Sequence, residues 1–237
     1  MCLIALAHRA SEKYPLVIAA NRDEDHERPT RAAHFWDDAP AILGGRDVLH
    51  GGSWLALRGN RFAAVTNLRG GVRAPQNRSR GALVGDFVRG ASTPAAYIED
   101  LARHATEYTP FHLYAGVIGD EAVHFSQAVT QLAPGVHGIS NAPAGERWPK
   151  VDEAVSRTRD ALTRETPQEV IDDLLVFLST DRGTPHYEAE PFIRGDRYGT
   201  RASTVIVATP AEVFFIEQSW GAGGERLGAV DYRVKRQ

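Results

Sequence analysis

A single cysteine, Cys2, is all the thiol chemistry this 237-residue chain holds. One cysteine excludes an internal disulfide and fits a reducing compartment, so the expectation is a cytoplasmic protein. Lysine is scarce too, at 13, 150 and 235 only, so arginine carries the basic charge. A formal net charge of −3 lacks the basic excess of a nucleic-acid binder. No apolar run approaches the ~18–20 residues that span a bilayer. The opening MCLIALAHRASEKYP has no basic leader and its apolar stretch ends at Ala7, which argues against a secretory signal. The glycine patterns GxxxxGK[ST] and GxGxxG are missing, and the histidines form no HxH or HExxH pair. Neither a nucleotide site nor a metal site is therefore expected.

What is present is enough for a real core. Hydrophobic residues make up 43% of the chain, and no repeat, low-complexity tract or clear linker breaks it, so a single domain over 1–237 is expected. Short apolar runs come in pairs around turns: Cys2–Ala7 with Pro15–Ala20, then Ser53–Leu57 with Arg61–Asn67. Leu113–Ile118 with Ala122–Gln127 and Ser203–Ala208 with Val213–Gln218 follow the same pattern. Adjacent hairpins predict largely antiparallel sheets. Helical spacing appears at Gly81–Arg89, Pro94–Ala105, Trp148–Arg164 and Pro167–Ser179. Thr93-Pro94 and Thr166-Pro167-Gln168-Glu169 supply N-caps, the second a capping box. Helix pairs between antiparallel hairpins predict an α+β layered fold.

Position makes the lone thiol informative. If Met1 is trimmed, Cys2 carries a thiol and a free α-amine on one residue. That amine, with a pKa of roughly 7.7–8.0, is partly neutral near pH 7 and can act as the thiol's own base. The competing reading is a small buried hydrophobe in the first strand.

The second apolar run ends in Asn21-Arg22-Asp23-Glu24-Asp25-His26-Glu27-Arg28, a dense charged stretch at the far end of the first hairpin. A guanidinium beside Cys2 would stabilise its thiolate, and a carboxylate beside the amine would hold it. Arg22 and Asp23 supply one of each, although a solvated charged loop has the same composition. Asn67 and Asn141 each end a predicted strand, where a carboxamide can serve an oxyanion or simply form a turn. Asn21, Glu24 and Trp54 are candidates for ligand binding; for Trp54 and the other tryptophans core packing is the alternative. Gly44-Gly45 and Gly51-Gly52 predict tight turns or close backbone approach.

The stretch Asn21-Arg22-Asp23-Glu24 resembles the signature of the NRDE family, and the resemblance runs along the chain. It takes in Met1-Cys2, Arg28-Pro29, Phe35-Trp36, Gly51-Gly52-Ser53-Trp54-Leu55 and Val65-Thr66-Asn67. It continues through Arg80-Gly81-Ala82-Leu83-Val84, Gly138-Ile139-Ser140-Asn141 and Tyr198-Gly199-Thr200-Arg201. The family is similar to N-terminal nucleophile hydrolases, in particular the Cys-type amidases. The resemblance implies a four-layer αββα sandwich. It also implies a nucleophile at Cys2, with Arg22, Asp23, Asn67, Asn141 and Arg201 as the other catalytic residues. The amidases space their Arg and Asp three apart, whereas Arg22 and Asp23 are adjacent, so Asp23, Glu24 and Asp25 all stand as the acid that meets the amine. The activity implied is hydrolysis of a small non-peptide amide through a Cys2 thioester, with no cofactor. The alternative it implies is a non-catalytic carrier of haem or a lipid-type ligand on the same fold. Cys2, His26, His34 or His50 would then be haem ligands.

Overall fold

The computed structural model describes residues 2–70, 78–143, 145–184 and 186–236. In chain order the elements begin β1 (Leu3–His8), β2 (Leu16–Asp25), β3 (Thr30–Trp36), β4 (Ala39–Asp47), β5 (Leu55–Arg58) and β6 (Arg61–Asn67). Next come α1 (Arg80–Arg89), α2 (Pro94–His104), β7 (Phe111–Val117), β8 (Ala122–Phe125), β9 (Val129–Gln131) and β10 (Gly135–Ser140). The chain finishes with α3 (Pro149–Ala161), α4 (Pro167–Leu178), β11 (Tyr198–Ala208), β12 (Glu212–Trp220) and β13 (Arg226–Lys235). These form two compact units, one made of the chain up to Arg28 with Pro134–Arg236, the other of Pro29–Ala133.

The first unit is a six-stranded sheet in the order β10-β1-β2-β11-β12-β13, with every pairing antiparallel. Alternate residues of a strand face opposite sides. Leu3, Ala5, Ala7, Val17, Ala19, Val205 and Val207 therefore share one side, where α3 and α4 bury Val151, Ala154, Val170, Ile171 and Leu174 against them. Helix α4 starts where the sequence says it should. Thr166 Oγ1 accepts from Glu169 N while Glu169 Oε2 accepts from Thr166 N. Removing the cap hydroxyl with Thr166→Ala is expected to cost about 1 kcal/mol in urea unfolding; a change within error would show the cap idle.

The second unit is a seven-stranded antiparallel sheet in the order β3-β4-β5-β6-β7-β8-β9. Its helices α1 and α2 bury Leu83, Val84, Phe87, Ile98 and Leu101 against Ala63, Val65, Leu113, Ala115 and Val123. The glycine pairs mark close approach, as their composition predicts. A Cβ on Gly45 would sit 2.1 Å from the Trp54 ring, and one on Gly52 would sit 2.6 Å from the Gly81 backbone. Ser53 N donates to Gly81 O at 3.0 Å, tying this turn to the start of α1.

The α+β class and antiparallel sheets expected from the hairpin pattern are what the chain forms. One expectation differs. The charged run after Ala20 does not leave the strand: β2 continues to Asp25, because Asp23, Glu24 and Asp25 pair with Thr200, Gly199 and Tyr198 of β11. A partner strand satisfies the backbone whatever side chains it carries.

Candidate functional site

Strand register organises the first unit's site. Leu3 lies opposite Ser140 on one side and opposite Asn21 on the other. Extending both ladders by one residue sets Cys2 between Asn141 and Arg22. The Cys2 backbone nitrogen donates to Asn141 Oδ1, which fixes the carboxamide with its oxygen toward Cys2. Cys2 is partly exposed, whereas Asn141 and Arg22 are buried. Alternation along β1 assigns Cys2 to the side of Ile4 and Leu6, opposite the helices. Arg22, which lies across from Ala202, shares that side.

The acids separate by parity. Asp23 is on the helix side, where its Oδ1 accepts from Thr200 Oγ1 at 2.7 Å. Thr200 Oγ1 in turn accepts from Ile193 N at 2.9 Å, and Tyr198 Oη donates to Asp23 O at 3.0 Å. Glu24 returns to the Arg22 side, with Oε2 3.5 Å from the Arg22 guanidinium and 3.7 Å from Arg28 Nε. Asp25 is the last residue of β2, accepting from Glu27 N at 2.9 Å and Arg197 Nε at 3.1 Å. The Glu27 amide, with Arg197 second, holds its carboxyl below the usual range.

Asn21 is on the helix side, donating from Nδ2 to Leu178 O and Pro191 O, both at 2.7 Å. It fastens β2 to the end of α4. Arg201 sits at the bulge between Thr200 and Ala202, and its guanidinium donates to the carbonyls of Asp25, His26 and Arg28 at 2.8, 2.9 and 3.3 Å. It clasps the turn that follows the NRDE stretch. Burial, then the Arg201 charge, lowers the His26 pKa, and burial lowers that of Arg201 itself.

Asn67 and Trp54 belong to the second unit. Asn67 is the exposed last residue of β6, and Trp54 packs its ring against Gly45. His34 and His50 are there too. His34 Nδ1 lies 2.7 Å from Ala32 O, and His50 Nδ1 lies 3.6 Å from Asp47. His34 borders an open depression of about 400 Å³. Its arginines already face carboxylates: Arg31 with Asp37 at 2.7 Å, Arg46 with Asp38 at 3.0 Å. Among the described residues no three His, Cys, Asp or Glu side chains group as metal ligands. Among the same residues no helix is long and apolar enough to cross a membrane.

Residue-by-residue reading of the sequence passed over Thr200 and Tyr198, which hold Asp23. The signal was in the chain, because Tyr198-Gly199-Thr200-Arg201 is one of the motifs that carry the NRDE resemblance. Their bonds to Asp23 run between strands, 175 and 177 residues apart in the chain, and have no local signature.

A family model described as Transport and Golgi organisation 2 matches residues 1–222. The Bos taurus protein named "Transport and Golgi organization protein 2 homolog" is 33% identical over 244 residues, covering 87% of this chain and 87% of that protein. The Homo sapiens protein of the same name is 31% identical with the same coverage. The Drosophila melanogaster "Transport and Golgi organization protein 2" is 31% identical over 132 residues, 50% of this chain and 47% of its own length. The NRDE stretch, the match across both units and these relatives agree: the chain belongs to the Transport and Golgi organisation 2 family.

Proposed function

We propose that the row Asn141–Cys2–Arg22 is the working part of an N-terminal cysteine hydrolase acting on a small non-peptide amide. The observation that carries this reading is the bond from the Cys2 nitrogen to Asn141 Oδ1. On removal of Met1 that nitrogen becomes the α-amine, already held beside its own thiol.

The amine takes the thiol proton, and Sγ attacks the amide carbonyl carbon. With Oδ1 turned to Cys2, Nδ2 is the atom of Asn141 able to donate to the oxyanion. Collapse expels the leaving amine, which carries away the proton held on the α-amine, and a Cys2 thioester remains. Water then adds with the α-amine as base, releasing the acid and restoring the thiol. Arg22 supplies a fixed positive charge on the Cys2 side of the sheet. Of the three acids, Glu24 is the one that shares that side, so it is the residue assigned to steady Arg22. Asp23, bonded to Thr200 on the helix side, is assigned to hold the strand. Arg201 positions the turn. Asn67 has its assignment from the family resemblance alone.

Intact mass of the purified chain, before and after brief exposure to a thiol alkylator, tests this. The expected result is loss of Met1 and one rapid alkylation that Cys2→Ala abolishes. Retained Met1 with an inert thiol would remove base and nucleophile together. Carriage of a haem or lipid-type ligand would then replace hydrolysis as the reading.

A further inference from the structure

Strand β13 ends the first sheet and has no strand on its outer side among the described residues. It runs ten residues, Arg226–Lys235, and the family match stops at residue 222, short of it. An open edge of this length is a template for another strand, and sequences usually guard it with unfavourable side chains. Here Arg226, Arg233 and Lys235 are charges of that kind, but Asp231 among them makes the edge self-complementary in one register.

The backbone directions follow from one hydrogen bond. Arg236 N donates to Ala211 O at 2.8 Å, in register with the pairs Val213↔Val234, Phe215↔Tyr232 and Glu217↔Val230. In an antiparallel ladder, hydrogen-bonded pairs recur every second residue. Val230, Tyr232 and Val234 therefore spend their N–H and C=O groups on β12. Ala229, Asp231, Arg233 and Lys235 direct theirs outward, and all four are exposed.

The geometry points to an antiparallel pairing of β13 with β13 of a second copy of this chain, about a twofold axis at Tyr232. In that register Asp231 lies opposite the partner's Arg233, and Arg233, which also meets Glu212 Oε2 of its own chain at 2.6 Å, lies opposite the partner's Asp231. Val230 meets the partner's Val234, and the two Tyr232 rings are neighbours at the axis. Opposed residues project to the same face, so both charge pairs form on one side and the apolar contacts on the other. Neighbouring registers fail. An axis at Asp231 opposes two aspartates, an axis at Arg233 opposes two arginines, and an axis at Val234 sets Arg233 against Lys235. The twofold makes the contact isologous and closed, so pairing stops at the dimer and does not continue into a fibre.

Sedimentation equilibrium of the full chain over a wide concentration range tests the proposal. The expected mass rises from 25.9 kDa toward twice that value as concentration increases. D231R alone and R233D alone should each stay monomeric, since each opposes like charges. The two variants mixed in equal amounts should dimerise, because each then offers the charge the other lacks, and the D231R/R233D double variant should dimerise as well. A monomer at every concentration would overturn the proposal. So would a dimer that neither single variant weakens, or single variants that stay monomeric when mixed. Circular dichroism of each variant checks that these exposed positions leave the fold intact.

Discussion

Thr200→Val unfolds at a midpoint roughly 10 °C below the parent chain, a loss of about 3 kcal/mol for a protein of this size. The substitution changes volume little, so the loss is one of hydrogen bonds. Thr200 is 1% exposed, and its hydroxyl does two things at once, donating to Asp23 Oδ1 and accepting from Ile193 N. Valine takes one hydrogen bond from a buried carboxylate and the hydroxyl partner from a buried amide, each at ~1–3 kcal/mol. Thr200→Ser keeps the hydroxyl and is expected to recover most of the stability, giving up only a methyl. Should Thr200→Val melt within about 2 °C of the parent, the Asp23–Thr200–Ile193 relay is not what holds the end of β2. The same variant bears on the proposed site, because Asp23 separates Arg22 from Glu24 along that strand. Stability and Cys2 alkylation are expected to fall together in Thr200→Val and to recover together in Thr200→Ser.

Mild acid brings the second large effect. His112 of β7 and His124 of β8 stack at 5.2 Å between ring centroids, with His112 Nδ1 3.0 Å from His124 Nε2. Burial pushes the His112 pKa down to about 4 from its ordinary 6.5. The folded chain thus holds this imidazole neutral over a range where the unfolded chain takes up a proton. Stability contributed by the neutral ring is full above pH 6.5 and is lost as pH falls from there toward 4. The loss amounts to about 3 kcal/mol and levels off below the folded value. Urea unfolding of the parent and of His112→Gln, followed from pH 7.5 to 4, isolates this group from the carboxylates that titrate lower. The variant is expected to lose about 3 kcal/mol less over that window. Identical slopes for the two proteins would show that His112 is not the group responsible.

Much of the secondary structure was legible in the chain. The hairpin Arg61–Asn67 with its partners, the capping box at Thr166 and the helix pairs follow from periodicity, turn residues and caps, which act over a few residues. The glycine pairs announced close packing, and Gly45 against Trp54 and Gly52 against Gly81 are where it occurs. Strands β3, β4 and β13 were not legible. Segments such as TRAAHFW and APAILGGRD show no clean alternation, and become strands because neighbouring strands satisfy their backbone.

Residues read one by one were enough for the family, the α+β class and a short set of candidate site residues, Cys2, Arg22, Asp23 and Asn141 among them. Residue identity is local information, and motifs such as Asn21–Glu24 are read without knowing what they touch. The tertiary structure alone decided which of those residues face one another. Register between β10, β1 and β2 set Asn141 and Arg22 on either side of Cys2, and the pairing of β2 with β11 turned Asp23 toward Thr200 and left Glu24 beside Arg22. A strand repeats every two residues, so a shift of one position would exchange those two acids. That register is fixed by β1, the nearby arm of the same hairpin, together with β11, more than a hundred residues away.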